Sequence, residues 1–390
     1  MEAKELLEII EKGEASTVQF KREFDNQEKI AAEMIAMSNS RGGMIIFGVE
    51  DKTGTVIGLD YAGLQNISNK VATIANDLLK PQVYITTEIV SIDTEAGRKN
   101  VMIVHVDEGI AKPYKDTNGV IWIKQGPDKR KLTDNNEIIR LFQQSGMLHV
   151  DEMIVADTSA EDVDKDKVKN YVKQVLQNSI DIENIPESVL YQNLIITKKS
   201  NLTLGGLLFF GKEPQRYKHV FSVKAISFVG NSIGGSTYRD SREIIGTIPD
   251  LLKESMLFFK QNLKYIQNGQ NFNRPGILEI SEIALEELLQ NALVHRDYSK
   301  FAPIRLMIFD DRIEIVSPGR LPNGLTIENI KMGNAAVRNN LLASYCFKLM
   351  NYKGFGSGII RALQAQPNIE FINDEDGHQF IVKIPREVVV

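Results

Sequence analysis

The spacing of hydrophobic and polar positions predicts mixed helices and strands in the first region, residues 1–148. NQEKIAAEMIAMSNS has helical spacing and ends at a Gly-Gly pair, and LTDNNEIIRLFQQSG closes the region as a helix. Between them, MIIFGVEDKTGTVIGL predicts a strand, a turn and a second strand, and three further apolar or alternating stretches predict strands: VYITTEIVSID, NVMIVHVDEG and GVIWIKQG. We therefore expect an α+β domain with helices on one side of a mixed sheet.

The remaining chain divides into a linking α/β region, residues 149–274, and a last region, residues 275–390. In the linking region FSVKAISFVG predicts a strand and REIIGTIPDLLKESMLFFKQNL one long helix, and no chemistry is evident. The last region alternates helix, hairpin and helix and ends in the strand-like HQFIVKIPREVVV. The predicted fold class is α+β and multidomain.

Composition points to a soluble globular protein, because hydrophobic residues make up 43% and charged residues 25% of the 390 positions. Cys346 is the single cysteine, which excludes an intramolecular disulfide and suits a reducing cytosol. No apolar run approaches the roughly 20 residues that span a bilayer. The acidic, amphipathic start does not resemble a secretory signal. We expect a cytoplasmic protein with no membrane partner.

Two basic clusters are candidates for nucleic-acid contact. The net charge of -5 argues against nucleic acid covering the whole surface but allows a local basic face. QFKREF contributes Lys21 and Arg22, and WIKQGPDKRKL contributes Lys124, Lys129 and Arg130. Short clusters of this kind are most often solvated surface, and contact with phosphates is the functional alternative.

The strongest candidate site begins in SEIALEELLQNALVHRDY. An apolar stripe at helical spacing is formed by Leu285, Leu288, Leu289, Ala292 and Leu293. Glu287 and Asn291, four residues apart, share the opposite flank. Such a pair could hold water and Mg²⁺ over a phosphate chain, with Asn291 as metal ligand and Glu287 as general base. Taken alone, a Glu-x-x-x-Asn pair more often lies on the solvent-exposed face of a helix.

Two following features strengthen that hypothesis. IRLMIFDDRIEIVSPGRLP predicts a hairpin that turns at Asp310 and Asp311. YKGFGSGIIRAL then places Gly354, Gly356 and Gly358 just before an apolar helix, where backbone N–H groups can approach an anion. A lone glycine cluster of this type is also compatible with a tight turn, but the ordered set of three features is much rarer by chance.

Residues 281–365 resemble the ATP-binding domain of the GHKL superfamily, the Bergerat fold. LLQNALVHRDY, DRIEIVSPGRLP, VRNNLLA and GFGSGI are similar to its divergent branch in bacterial transcriptional regulators of the divergent-AAA type. The resemblance implies an α/β sandwich that binds ATP and Mg²⁺, with Asn291 as the magnesium ligand and Glu287 as the hydrolytic base of a weak ATPase. The implied ATP-binding residues are Asn291, Gly319, Arg338, Asn339, Gly354, Gly356, Ser357 and Gly358.

The sequence departs from the GHKL pattern at two positions. SPGRLP stands where the family has Asp-x-Gly-x-Gly, so the adenine-contacting aspartate is unassigned, and Asn340 stands where the branch usually has proline. Arg338 and Asn339 fall in a lid-like segment. We expect His295 to pack against the hairpin, with orientation of the site as the alternative.

Residues 13–142 resemble the Schlafen/AlbA-type domain that precedes this ATP-binding domain in those regulators. The resemblance rests on GEASTVQFKREF, MIAMSNSRGGMIIFGVED and GTVIGL. In Schlafen nucleases three acids bind metal and cleave RNA, and here they would be Glu14, position 19 and Asp51, beside Lys21. Position 19 is Gln19, which removes a hard-cation ligand. We therefore predict an edge strand whose Lys21 and Arg22 meet phosphate.

Three functional hypotheses follow from these resemblances. The first is a homo-oligomeric transcriptional regulator that binds nucleic acid, DNA in preference to RNA, and senses ATP. The winged helix that the family often carries has no room before Val390, so the first domain is expected to supply the contacts. The alternative is a nucleotide-gated, metal-dependent ribonuclease in phage defence, acting through Glu14, Lys21 and Asp51. The third is a degenerate ATP-binding scaffold for partner proteins.

Overall fold

The chain forms two compact units, the N-terminal unit (Met1–Leu148) and the C-terminal unit (His149–Val390). The structure is a computed structural model that describes residues 1–386 apart from 52, 96, 177–184, 236, 268–275, 323–324, 351–353, 355 and 375. Within that part of the chain, no helix combines the length and the apolar character needed to cross a membrane.

The N-terminal unit is built on a four-stranded mixed sheet in the order β1-β2-β5-β4. Its elements are α1 (Ala3–Lys12), β1 (Val18–Lys21), α2 (Gln27–Asn39), β2 (Gly43–Phe47), α3 (Tyr61–Thr73), β3 (Leu79–Lys80), β4 (Ile85–Thr94), β5 (Gly97–Val106), β6 (Lys115–Asp116), β7 (Trp122–Gln125), β8 (Asp128–Lys131) and α4 (Asn135–Gln144). Strand β1 runs parallel to β2, and the other pairs are antiparallel. The predicted edge position of β1 is confirmed.

Both faces of this sheet are covered by helices. Alternation along β2 sends Ile45 and Phe47 into a core with α2 and α3, and sends Ile46 into a second core with Leu6 and Ile10 of α1. The prediction that all helices lie on one side is therefore wrong. The reason is that β2 and β5 are apolar at successive positions, so each of their faces needs a cover.

The predicted second strand after β2 is reduced to isolated bridges. Val49 bridges Val56, and Leu59 bridges Asn100 of β5. Between these bridges Gly58 has a φ of 80°, which interrupts the extended backbone that a continuous strand requires.

The C-terminal unit contains a six-stranded sheet in the order β12-β11-β15-β16-β18-β17. Its elements are α5 (Lys165–Leu176), α6 (Glu187–Asn193), β9 (Thr197–Lys198), β10 (Asn201–Leu202), α7 (Leu204–Phe210), α8 (Pro214–Tyr217), β11 (Val223–Phe228), β12 (Tyr238–Ile244), α9 (Ile248–Asn262), β13 (Tyr265–Ile266), β14 (Ile277–Leu278), α10 (Glu282–His295), β15 (Ile304–Ile308), β16 (Arg312–Pro318), α11 (Ile327–Lys331), α12 (Asn340–Leu349), α13 (Ser357–Ala365), β17 (Glu370–Asp374) and β18 (Gln379–Pro385). The hairpin β15–β16 turns at Asp310 and Asp311, as predicted.

One sheet crosses the predicted boundary between residues 274 and 275. Strand β11 pairs in parallel with β15, with Val223 opposite Ile304, and both strands contribute to the same hydrophobic core. Residues of the predicted linking region therefore share one compact unit with the last region.

The long helix predicted from REIIGTIPDLLKESMLFFKQNL is also corrected. Its first residues belong to β12, which ends at Ile244, and α9 begins at Ile248. Thr247 and Asp250 form a capping box at that point, which satisfies the first amide groups of the helix and fixes its start.

Helix α10 fixes the geometry of the candidate site. Its predicted apolar stripe is confirmed, because every member is at most 8% exposed: Leu285, Leu288, Leu289, Ala292 and Leu293. The stripe lies in the core of the C-terminal unit. Glu287 and Asn291 consequently face away from the deepest packing and toward a pocket.

We predict that Gly206→Ala destabilises the C-terminal unit by about 1–3 kcal/mol, the usual range for overpacking a core. Gly206 is buried in α7, and a Cβ built there would lie 2.3 Å from the backbone oxygen of Ile196. Urea unfolding followed by far-ultraviolet circular dichroism measures the loss. Gly235→Ala is the matched control, since a Cβ built on Gly235 would have its nearest neighbour, the Ser232 backbone oxygen, 3.6 Å away. Equal stability of the two variants would contradict the packing of α7.

Candidate functional site

A pocket of about 990 Å³, counting the space open to solvent, lies in the C-terminal unit. It is bounded by α10, by the start of α13, by strands β16 and β18, and by the loop that follows α11. Much of its wall is apolar and includes Leu288, Ala292, Ile315, Leu325, Ile359 and Val382. An apolar pocket with a few polar groups at one end suits a small organic ligand.

The polar end of the pocket brings together three residues that the sequence predicted to act together. Glu287 and Asn291 reach it from α10, and Gly358 reaches it from the first turn of α13. A Cβ built on Gly358 would lie 2.6 Å from Glu287 Oε2 and 3.3 Å from Asn291 Nδ2. The absence of a side chain at Gly358 therefore permits this contact between the two helices.

The glycine-rich turn directs the start of α13 into the pocket. Gly356 has a φ of 71°, and a Cβ there would lie 1.8 Å from the backbone oxygen of Gly333. Only glycine fits this conformation and this close approach. Helix α13 then begins at Ser357, and its first N–H groups have no acceptor within the helix. An anion is the natural ligand of such a helix end.

Arg361 is a pocket residue that sequence reasoning missed. Its Nε donates to Glu287 Oε1 at 2.7 Å, its Nη2 donates to the same oxygen, and its Nη1 donates to Ser357 Oγ at 2.8 Å. The side chains of Arg361 and Glu287 are 31% and 14% exposed. The four-residue spacing from Ser357 was a local signal for one of these contacts, but nothing local indicated Glu287.

At the end of β16, where SPGRLP begins, the side chain that faces the pocket is a serine hydroxyl and not a carboxylate. Ser317 lines the pocket, is 6% exposed and donates from Oγ to the backbone oxygen of Ala292 at 3.2 Å. Gly319 follows at a φ of 103° and also lines the pocket. Glu287 is the only acidic residue among the described lining residues. The departure from Asp-x-Gly-x-Gly therefore changes the pocket wall: Ser317 lines it at this strand end, and no aspartate does so among the described residues.

Arg338 and Asn339, predicted to bind the cofactor, instead contact the end of α10. Arg338 donates to the backbone oxygens of His295 and Arg320 at 3.2 and 2.7 Å. Asn339 donates to those of Val294 and Arg296 at 2.7 and 2.9 Å. Neither residue lines the pocket. The last carbonyls of a helix need such donors, so we assign both residues to the support of α10.

In the N-terminal unit, Gln19 is the centre of an interior hydrogen-bond network. Its Nε2 donates to Glu14 Oε1, which also accepts from the Phe20 backbone at 2.8 Å. Its Oε1 accepts from Lys124 Nζ at 3.1 Å. Lys124 also donates to Glu33 Oε2 at 3.3 Å, and their side chains are only 1% and 5% exposed. Direct hydrogen bonds therefore join Glu14, Gln19, Lys124 and Glu33.

Glu14, Gln19 and Asp51 do not form the metal-binding group of acids that the resemblance to Schlafen nucleases implied. Glu14 Oε1 accepts from Gln19 and from a backbone amide, while Asp51 accepts from Lys21 at 2.7 Å and from the Arg22 backbone at 3.3 Å. Nowhere in the described ranges do three His, Cys, Asp or Glu side chains lie close enough to share a metal ion. No cleavage step is derived from Glu14, Lys21 and Asp51.

The predicted basic face is smaller than expected. Lys124 is buried in the network just described, so its predicted contact with nucleic acid is corrected. Lys129 donates to Glu33 at 2.7 Å and is 24% exposed. Arg22 and Arg130 are the most accessible, at 60% and 37%, and pair with Glu50 at 3.2 Å and Glu137 at 2.7 Å. Exposed pairs of this type contribute little stability, so a phosphate can replace the carboxylate.

Together, the fold and the pocket define a two-unit protein with a small-ligand site in its second unit. Comparison with known families gives one match within each unit and a third that crosses the boundary between residues 148 and 149. Residues 14–133 match the model described as "Schlafen, AlbA_2", and residues 302–383 match "Putative ATP-dependent DNA helicase recG C-terminal", the HATPase_c_4 domain. Residues 139–224 match a domain of unknown function. The predicted pairing of a Schlafen/AlbA-type domain with a divergent ATPase domain is confirmed.

Two individual proteins are similar to this chain. An uncharacterized ATP-binding protein of Ureaplasma parvum serovar 3 is 37% identical over 73 residues, which cover 18% of this chain and 21% of that protein. The chain thus matches about a fifth of the length of this relative. The crystal structure of the DIP2311 protein from Corynebacterium diphtheriae has 22% sequence identity and a TM-score of 0.47, covering 95% of this chain and 75% of that one.

We predict that His295 makes the stability of the C-terminal unit depend on pH. Burial, together with the nearby Arg338 charge, lowers the pKa of His295 to about 4. The unfolded chain therefore binds more protons than the folded chain as pH falls from about 6.5. Stability should fall by on the order of 2 kcal/mol between pH 7 and pH 4, allowing for the partial exposure of the ring.

Urea unfolding of the wild type and of His295→Gln at several pH values measures this effect. The glutamine variant should lose the part of the slope that lies below pH 6.5, while the contributions of other groups cancel in the comparison. Parallel slopes for the two proteins would contradict a neutral His295 in the folded state.

Proposed function

We propose that this chain is an ATP-binding transcriptional regulator whose N-terminal unit contacts nucleic acid, DNA in preference to RNA. The observation that carries the proposal is the convergence of Glu287, Asn291 and the glycine-rich start of α13 at one end of an apolar pocket. The name of the Ureaplasma parvum relative, an ATP-binding protein, supports the choice of nucleotide. The family matches of both units support the combination.

The residues present fit ATP with Mg²⁺. The start of α13 supplies N–H donors for phosphate, and Gly358 in its first turn lets Glu287 and Asn291 approach that helix end. The Asn291 side chain lies at the same end of the pocket and is the oxygen donor proposed for Mg²⁺, which keeps most of its ligands from water and phosphate. The apolar wall beyond Ala292 would take the adenine ring, with Ser317 as its polar neighbour.

Hydrolysis is proposed to be weak. Glu287 is the candidate general base, but its Oε1 accepts two bonds from Arg361. A general base must have a lone pair within hydrogen-bond reach of the water that it activates. This engagement blocks the base for as long as Arg361 holds it, and we propose a sensor of bound nucleotide with at most weak ATPase activity. Magnesium would stabilise the phosphate charge when bound.

The nucleic-acid part rests on the accessible basic side chains of the N-terminal unit. Arg22 and Arg130 are exposed and held only by surface carboxylates. Arginine forms bidentate bonds with phosphate, and such contacts position a duplex without reading its sequence. The ribonuclease alternative is not favoured, because Gln19 and Lys124 complete the network around Glu14.

We predict that Asn291→Ala weakens the binding of ATP and Mg²⁺ at least tenfold, which is about 1.4 kcal/mol. The amide is the proposed metal ligand, so its loss removes one attachment of the nucleotide. Isothermal titration calorimetry measures the affinity. Asn66→Ala, an exposed asparagine of α3, is the matched control and should bind like the wild type. A folded Asn291→Ala protein with unchanged affinity, or a wild type that binds no ATP, would overturn the proposed site.

We predict that duplex DNA binds the chain through a few phosphate contacts that include Arg22. The affinity should fall with salt, and Arg22→Ala should lower the slope of log affinity against log salt by about 1. Fluorescence anisotropy with labelled DNA and RNA of the same sequence measures both slopes. Arg305→Ala in the C-terminal unit is the control. An unchanged slope for Arg22→Ala would exclude this residue from the interface, and tighter binding of RNA would reverse the proposed preference.

A further inference from the structure

The ion pair of Arg361 and Glu287 lies at the edge of the pocket, where a ligand can reach it. Both side chains line the pocket, and both are partly exposed. The two guanidinium bonds converge on Glu287 Oε1, while Oε2 lies against the Gly358 backbone. Arg361 is therefore the side chain of α13 that engages the Glu287 carboxylate, through Oε1.

The same guanidinium is attached to the proposed phosphate-binding end of α13. Arg361 Nη1 donates to the hydroxyl of Ser357, which is the first residue of that helix. An anion at this helix end would therefore lie beside the guanidinium. Because arginine binds phosphate bidentately and strongly, the anion would compete with Glu287 for Arg361.

The position of Glu287 indicates which phosphate would compete. A carboxylate that serves as base for hydrolysis must lie within one water of the terminal phosphate. Arg361 touches that carboxylate directly, so it lies close to the same phosphate. A nucleoside diphosphate lacks the terminal phosphate, so nothing in it would compete with Glu287 for Arg361.

We propose that Arg361 recognises the terminal phosphate of a nucleoside triphosphate by leaving Glu287 for it. The exchange makes the pocket selective for triphosphate over diphosphate, and it frees the Glu287 carboxylate only when the triphosphate is bound. Arg361 is thus the residue that distinguishes the two nucleotides. This inference rests on the proposed ATP binding and adds a specificity residue to it.

The test is a double-mutant cycle measured by calorimetry with Mg²⁺. The two probes are ADP and the β,γ-imido analogue of ATP, which avoids hydrolysis. Arg361→Ala should weaken binding of the analogue about tenfold and binding of ADP less than about threefold, since only the analogue has the terminal phosphate. Glu287→Gln should tighten binding of the analogue, because the charged competitor for Arg361 is gone. In the Arg361→Ala background, Glu287→Gln should have no such effect.

Two controls separate the exchange from a loss of structure. Arg305→Ala removes an arginine that lies outside the pocket and should change neither affinity. Arg361→Lys keeps the charge and should retain part of the selectivity even if Arg361→Ala fails to fold. Equal weakening of both nucleotides, or additive effects of the two substitutions, would overturn the exchange and leave ATP binding intact. A wild type that binds neither probe would overturn both proposals.

Discussion

The close approach of α10 and α13 at Gly358 is the contact on which the candidate site depends. Helix α10 is fixed by its apolar stripe, so the direction of Glu287 and Asn291 is set by core packing. Helix α13 can meet that flank only because position 358 has no side chain, as a Cβ would lie 2.6 Å from the Glu287 carboxylate. The same contact places Arg361, one turn beyond Ser357, against Glu287. The fold and the chemistry of the pocket therefore share one steric constraint.

Both units hold a carboxylate in a low-exposure position and neutralise it with basic side chains. This pairing is required because an isolated charge is costly to bury. Glu33 is 5% exposed and lies between Lys124 and Lys129. Glu287 is 14% exposed and lies on the wall of a pocket. The Lys124–Glu33 pair is buried, whereas the Arg361–Glu287 pair lies where an anion that entered the pocket would meet it.

The parts of the fold that local pattern determines could be predicted from the sequence. The stripe of α10, the hairpin at Asp310 and the glycine turn before α13 each follow from residues that are close in sequence. Contacts between distant residues could not be predicted in this way. Arg361 and Glu287 are 74 residues apart, and Gln19 and Lys124 are 105 apart. A basic cluster also does not reveal which of its members turns inward, so Lys124 was expected at the surface.

Gln19 explains how the N-terminal unit can keep the Schlafen/AlbA fold without one of the three acids of a nuclease. A carboxylate at this position would face Glu14, and two such groups repel each other unless a cation or a proton lies between them. An amide supplies one donor and one acceptor instead. The amide nitrogen of Gln19 donates to Glu14, and its amide oxygen accepts from Lys124. Lys124 also donates to Glu33. Gln19 thus links Glu14 to the buried Lys124–Glu33 pair, and the exposed arginines of this unit are the proposed contacts for nucleic acid.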